Sequence, residues 1–152
     1  MVAMNKYSSV LVKNFLIIGA CLHRLGDKIV SEFSINQQQF VVLNEIQRAG
    51  ETCQKNLVGS LLYEKSNISK IISKLQSLGY VTVTRSATDT RVTIVKTTEL
   101  GENIWAKCMA KFYSWNQEWV NSITQEDVML IINAQERLMD ALQKNNEPGT
   151  EV

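Results

Sequence analysis

Apolar residues recur every three or four positions along most of the chain, the spacing that places them on one face of an α-helix. Asn36 can cap the second such stretch, and Gly79 follows the fourth, where it can end a helix. The pattern therefore predicts a mainly helical protein. It predicts helices at about residues 6–32, 36–49, 54–63 and 65–78, from about 98 onward, and at about 125–144.

The pattern changes after Gly79 from helical to alternating. Residues 80–84 and 92–95 are almost all β-branched or aromatic, and such residues favour β-strands. The segment 85–91 between them is polar and begins and ends with arginine. We therefore expect a β-hairpin with a basic tip. Two short helices followed by such a hairpin are the element order of a winged helix-turn-helix.

The hairpin and the start of the next helix carry a motif that resembles the wing signature of the MarR family of transcription regulators. An Asp-x-Arg tip, Asp89 to Arg91, is followed by a strand and then by Thr98-Glu99-Leu100-Gly101, which opens the next helix. Thr97 stands where the family usually has leucine. The segments 66–81 and 35–43 also resemble the family's recognition helix with its entry into the wing, and its second helix.

This resemblance implies a fold and a function. The fold is mainly α with a small β-hairpin wing, in a single MarR-like domain over residues 1–152. The winged helix-turn-helix module would occupy about 35–101, between dimerisation helices at about 6–34 and 102–144, with a frayed tail at 145–152. The implied function is a homodimeric, sequence-specific regulator that binds a pseudo-palindromic duplex DNA operator, modulated by a small aromatic effector.

The predicted recognition helix offers short polar side chains and lysines near its N-terminus, which lets a helix backbone approach base edges. At the wing tip, the Asp89 carboxylate could hold the Arg91 guanidinium for insertion into the minor groove, and Arg85 could contact a phosphate. The alternatives are a solvated helix face and a local turn salt bridge. The residues predicted to contact DNA are Lys65, Ser66, Asn67, Ser69, Lys70, Ser73, Lys74, Arg85, Asp89 and Arg91.

The two long terminal helices carry apolar stripes that one small chain can hardly cover, which predicts a homodimer. Trp105, Phe112 and Trp119 lie one heptad apart on the fifth helix and could form core, a dimer seam or an aromatic effector pocket. The residues predicted to mediate dimerisation are Leu11, Phe15, Ile18, Ile131, Leu138 and Leu142.

The net charge of +1 is uninformative, but its distribution is not. Residues 51–100 contain seven basic and four acidic residues, whereas 101–152 contain four basic and eight acidic ones, so only the middle of the chain suits a phosphate surface. The sequence shows no paired carboxylates, catalytic triad, glycine-rich phosphate loop or metal-ligand cluster, and we expect no enzyme activity, cofactor or metal.

The chain lacks an evident signal pattern and an uninterrupted apolar run of membrane-spanning length, so we expect a cytoplasmic protein without a membrane partner. Two alternatives to a ligand-modulated DNA-binding regulator stay open. One is a winged helix that binds only other proteins. The other is a redox-responsive regulator that uses Cys21, because some MarR relatives sense oxidants with a cysteine on the first helix.

Overall fold

The computed structural model describes residues 2–61 and 63–145, with side chains from Tyr7 onward and to Lys144. Its described part divides into two compact units, one ending at Phe112 and the other beginning at Tyr113. The predicted frayed tail lies outside the described residues except for Asn145. The elements are α1 Val2–Val30, a 3-10 turn Ser31–Phe33, α2 Gln37–Ala49, β1 Glu51–Cys53, α3 Gln54–Leu61, α4 Lys65–Ser77, β2 Val81–Arg85, β3 Thr93–Thr97, α5 Glu99–Val120 and α6 Gln125–Asn145.

All six predicted helices are present, and their ends follow local hydrogen bonding. Asn36 begins α2 with a capping box, because its side chain accepts from the Gln39 backbone N–H at 2.9 Å and the Gln39 side chain accepts from the Asn36 backbone N–H at 2.9 Å. Gly79 follows α4 at φ 74°, a left-handed conformation that favours glycine. The backbone N–H of Tyr80 then bonds to the Leu75 carbonyl at 2.9 Å, which closes a Schellman motif.

The sheet has three antiparallel strands in the order β1-β3-β2, not the two of the predicted hairpin. β2 and β3 pair from Val81↔Thr97 to Arg85↔Thr93, which confirms the hairpin. The added strand β1 pairs with the other edge of β3. Three residues are too few to show an alternating pattern, and β1 forms because it satisfies backbone groups that β3 would otherwise leave unpaired.

The hydrophobic core of the first unit lies among α2, α3, α4 and the sheet, with one residue from α5. α2 and α4 each contribute four buried residues, and those of α4 all fall on one side of the helix. That burial directs the opposite side of α4 to solvent. The fully buried side chains are Val30, Val42, Leu43, Ile46, Leu57, Ile68, Leu75, Val95 and Cys108.

The Thr-Glu-x-Gly motif joins the wing to α5. The Thr98 hydroxyl donates to the Gly79 carbonyl at 2.6 Å and accepts from the Gly101 backbone N–H at 3.0 Å. Thr98 therefore caps the start of α5 and also links it to the residue that follows α4. A Cβ atom added at Gly101 would overlap the Tyr80 carbonyl oxygen. Close packing therefore explains the glycine of the motif, because only glycine lets α5 start this close to β2.

The terminal helices differ from the core in exposing much of their apolar surface. Tyr7, Leu16 and Leu130 are 75%, 69% and 60% exposed. By length and composition alone, one described helical segment, Tyr7–Phe33, could also cross a membrane, with a mean hydropathy of 1.3 and only 6% of its most apolar window buried. One such helix is weak evidence for a membrane span, because a mostly buried core helix and a signal sequence pass the same test.

Candidate nucleic-acid interface

The exposed side of α4 carries most of the residues predicted to contact DNA. Burial of the isoleucines and Leu75 on the other side leaves polar side chains facing solvent along two turns and more. Asn67 is the exception, because it is half-buried. The exposed residues are Lys65, Ser66, Ser69, Lys70, Ser73 and Lys74.

The two central serines of this surface differ in hydrogen bonding. The Ser73 hydroxyl donates to the Ser69 carbonyl at 3.0 Å, which commits its proton to the helix and leaves only acceptor capacity. The Ser69 hydroxyl has no hydrogen-bond partner within the described ranges. Ser69 can therefore donate to or accept from a base edge, whereas Ser73 can only accept.

The wing tip is a compact turn held by backbone bonds. The Ser86 N–H donates to the Val92 carbonyl at 2.8 Å, and the Val92 N–H donates to the Asp89 carbonyl at 2.9 Å. The Asp89 carboxylate accepts from the backbone N–H of Arg91 at 3.0 Å. This bond forms an Asx-type turn, and among the described residues no ion pair joins the carboxylate to the Arg91 guanidinium. Both side chains are exposed.

A groove of about 390 Å³ lies between the wing and the starts of α3 and α4. Lys55, Lys65 and Arg91 line it, one cation each from α3, α4 and the wing, beside Cys53, Val58 and other residues. The Gln54 amide donates to the Lys65 carbonyl at 2.9 Å and so ties the two helix starts together. Lys55 was not predicted as part of this surface, because it is far from Lys65 and Arg91 along the chain and only the fold brings the three together. Arg85, the remaining predicted contact, is exposed at the end of β2.

The residues predicted to mediate dimerisation are solvent-accessible to different degrees. Leu11 and Ile18 on α1 are 49% and 52% exposed, and Phe15 is half-buried. On α6, Ile131 and Leu142 are 45% and 55% exposed. Leu138, the last of the set, is half-buried.

The aromatic residues of α5 have partners in each of the two units. Within the first unit, Trp105 donates to the Asn44 side chain at 3.0 Å, and Phe112 stacks on Phe40 with ring centroids 4.9 Å apart. Both belong to the periphery of the core. Within the second unit, Trp115 lies 6.1 Å from Trp119 between ring centroids.

The three cysteines have different surroundings. Cys21 on α1 is half-buried, and the Arg24 guanidinium lies 3.9 Å from its sulfur atom. Cys53 is also half-buried, whereas Cys108 is fully buried, and this burial raises the pKa of its thiol from 9.0 to about 11. His23, the only histidine, pairs with Asp27 at 3.6 Å. No group of histidine, cysteine and acidic residues suited to a metal occurs among the described residues.

An exposed polar helix beside an arginine-tipped wing defines the class of protein, a DNA-binding winged-helix regulator. The chain belongs to the SarA/Rot family of transcriptional regulators, because the profile described as "Transcriptional regulator SarA/Rot" matches residues 24–108, more than half of the chain. This match covers α2 to β3 and much of α5, and so includes the whole candidate interface. A comparison with curated protein sequences gives no match.

Solved structures confirm the MarR fold. A MarR mutant from E. coli, complexed with operator DNA, is 22% identical with a TM-score of 0.78 over 84% of this chain and 92% of its own. The organohalide-sensing regulator RdhR-CbdbA1625, bound to 2,4-dichlorophenol, is 16% identical with a TM-score of 0.85 over 96% and 87%. MepR from S. aureus, in a DNA complex, is 17% identical with a TM-score of 0.78 over 86% and 96%.

Proposed function

We propose that this regulator binds a pseudo-palindromic duplex operator as a cytoplasmic homodimer, with α4 in the major groove and the wing tip in the minor groove. The observation that carries the proposal is the exposed side of α4, where hydroxyls and lysines face solvent beside Arg91 while the opposite side is buried. Hydroxyl and lysine side chains read base edges and phosphates in other helix-turn-helix proteins. MarR and MepR, with the same fold, have been solved with DNA.

The roles follow from the chemistry of each residue. Ser69 would contact a base edge, because its hydroxyl can act as donor or acceptor, and Ser73 would only accept. Lys70 and Lys74 would contact phosphates, which fix position but carry no sequence information. Arg91 would enter the minor groove, where a narrow A·T-rich groove attracts a guanidinium through its negative potential.

Dimerisation through α1 and α6 would pair two recognition helices on successive turns of the duplex. The exposed apolar side chains of both helices support it, because surface of this kind is expensive to leave in water. Burial of α1 between two protomers would also account for its high hydropathy without a membrane.

A small aromatic effector would modulate this binding by favouring one arrangement of the dimer over another. The support is the likeness to RdhR-CbdbA1625, which has been solved with bound 2,4-dichlorophenol. Thermal melts with a set of phenols and aromatic acids test this part. Stabilisation that rises with ligand concentration would support it, and unchanged melting with every compound would count against it.

Selection of bound duplexes from a random pool tests the main proposal. We expect an enriched pseudo-palindrome, and we expect affinity for it to fall steeply with salt as counterions are released. A protein that enriches no sequence and shows no salt dependence would instead be a winged helix that binds only other proteins.

A second candidate is redox control through Cys21, which is half-buried on α1 with the Arg24 guanidinium 3.9 Å from its sulfur atom. We expect mild peroxide to weaken operator binding by the parent protein and to leave Cys21→Ser unaffected. Equal sensitivity of both proteins to peroxide would show that Cys21 is not the redox-sensitive residue.

A further inference from the structure

The groove between the wing and the starts of α3 and α4 has an unusual charge pattern. Its lining includes three cationic side chains, Lys55, Lys65 and Arg91, and no acidic one. Glu64, at the N-cap of α4, lines a neighbouring concavity instead. Three like charges around one groove repel each other unless an anion lies between them. An anionic group in the groove would therefore be attracted by all three side chains.

The groove also has a fixed shape. The bond from the Gln54 side chain to the Lys65 carbonyl joins α3 to α4, and β1 joins the start of α3 to the sheet that carries the wing. Val58 and Val92 form apolar parts of the lining. A preformed cationic groove loses little entropy when an anion enters.

We infer that this groove holds a backbone phosphate of duplex DNA, with Lys55 and Lys65 as its ligands and Arg91 at its rim. This inference rests on the proposed function. Each minor groove is bordered by phosphates of both strands, so a phosphate held here would place Arg91 at the edge of a minor groove. Lys55 thereby becomes a DNA contact outside the recognition helix and wing, and the groove sets the distance between the two DNA-reading elements.

Lys55→Gln tests the inference, with Lys107→Gln on the exposed side of α5 as the control that loses the same charge. Each phosphate contact contributes about 0.9 to the slope of log affinity against log salt. A homodimer carries two copies of Lys55, so we expect Lys55→Gln to lose about 1.8 of slope, which corresponds to roughly sixtyfold weaker binding at 0.1 M salt, for cognate and random duplexes alike. We expect Lys107→Gln to bind like the parent protein.

Cys53 provides a second readout on the unmodified lysines, because it lines the same groove. Alkylation of Cys53 by iodoacetamide should slow at least severalfold when operator duplex is bound, while alkylation of Cys21 on α1 keeps its rate. Inorganic phosphate at matched ionic strength distinguishes DNA from a free anion, and we expect it to protect Cys53 weakly or not at all.

Three results would overturn the inference, and they separate it from the proposed function. If the parent protein binds its duplex but Lys55→Gln keeps full slope and Cys53 stays reactive, the groove holds no phosphate and the proposed function stands. If phosphate protects Cys53 and duplex does not, the groove belongs to a free anion. If no duplex is bound at all, both the inference and the proposed function fail.

Discussion

The core of the winged module and the two terminal helices use the same kinds of residue in opposite ways. Leu43 and Leu57 are 0% and 1% exposed, whereas Leu16 on α1 and Leu130 on α6 are 69% and 60% exposed. The winged module therefore buries these apolar side chains within one chain. The terminal helices leave theirs exposed, as the proposed dimer would require.

The same contrast separates the two sides of α4. One side contributes Ile68 and Leu75 to the core at 0% exposure, and the other carries polar residues that are exposed to solvent. Substitutions on the buried side should lower stability, and substitutions on the exposed side should change DNA binding alone.

Leu43→Ala should produce the largest loss of stability. It removes a fully buried side chain and leaves a cavity, which costs about 2–5 kcal/mol in the free energy of unfolding. The control is Leu100→Ala on α5, which removes the same atoms at 51% exposure and should cost less than about 1 kcal/mol. Urea denaturation at one protein concentration gives both values, and equal losses would contradict the assignment of the core.

Gly101→Ala should cost roughly 1–3 kcal/mol, because its new methyl group must displace the Tyr80 carbonyl oxygen. Gly59→Ala is the control, since a Cβ there meets nothing within 4 Å and alanine favours the helical conformation of α3. We expect melting temperature to fall in the first variant and to hold or rise in the second. A fall of similar size in both would show that close packing at Gly101 is not the cause.

Local sequence patterns predicted several features of the fold, including the position of Gly101. Helix periodicity, the Asn36 cap and the Thr98–Gly101 motif are local, and their consequences agree with the structure. β1 escaped prediction because it exists only through pairing with β3, some 40 residues away. The backbone bond from Arg91 to the Asp89 carboxylate was likewise not predicted, and the contact of Asp89 with the Arg91 guanidinium stays a prediction.

The cationic groove lay beyond sequence reasoning for a related reason. Lys55, Lys65 and Arg91 come from three elements, and only tertiary packing brings them together. The contacts of individual residues with DNA and with a partner protomer stay predictions, as does the single-domain organisation.

Ile131→Glu should separate assembly from folding. The residue is 45% exposed on α6, so a charge there costs little in one chain but must be desolvated in a dimer interface. We expect the parent protein to sediment at about twice 17.2 kDa and the variant to dissociate at micromolar concentration with unchanged helicity. Asn133→Glu, which adds the same charge on the opposite side of the same helix, controls for electrostatics. A monomeric parent protein would remove the dimer from the account.

The smallest effect concerns Cys108. Burial raises its pKa to about 11 in the folded state, above the ordinary 9.0 of an unfolded thiol. The unfolded state therefore loses this proton first, and the stability contributed by the thiol, fully present below pH 9, is lost as pH rises towards 11. We expect the parent protein to lose more stability across this range than Cys108→Ala. Parallel curves for the two proteins would show that the thiol is not protected by burial.

The most direct test of DNA reading by the wing is affinity for one selected operator duplex across a salt series. The parent protein, Arg91→Ala, Arg91→Lys and Asp89→Ala would be compared, with thermal melts as control. We expect a marked loss for Arg91→Ala, partial recovery for Arg91→Lys because lysine keeps only the charge, and a milder loss for Asp89→Ala, which loosens the turn. All four should melt alike. Operator binding by Arg91→Ala equal to that of the parent protein at every salt concentration would contradict the account.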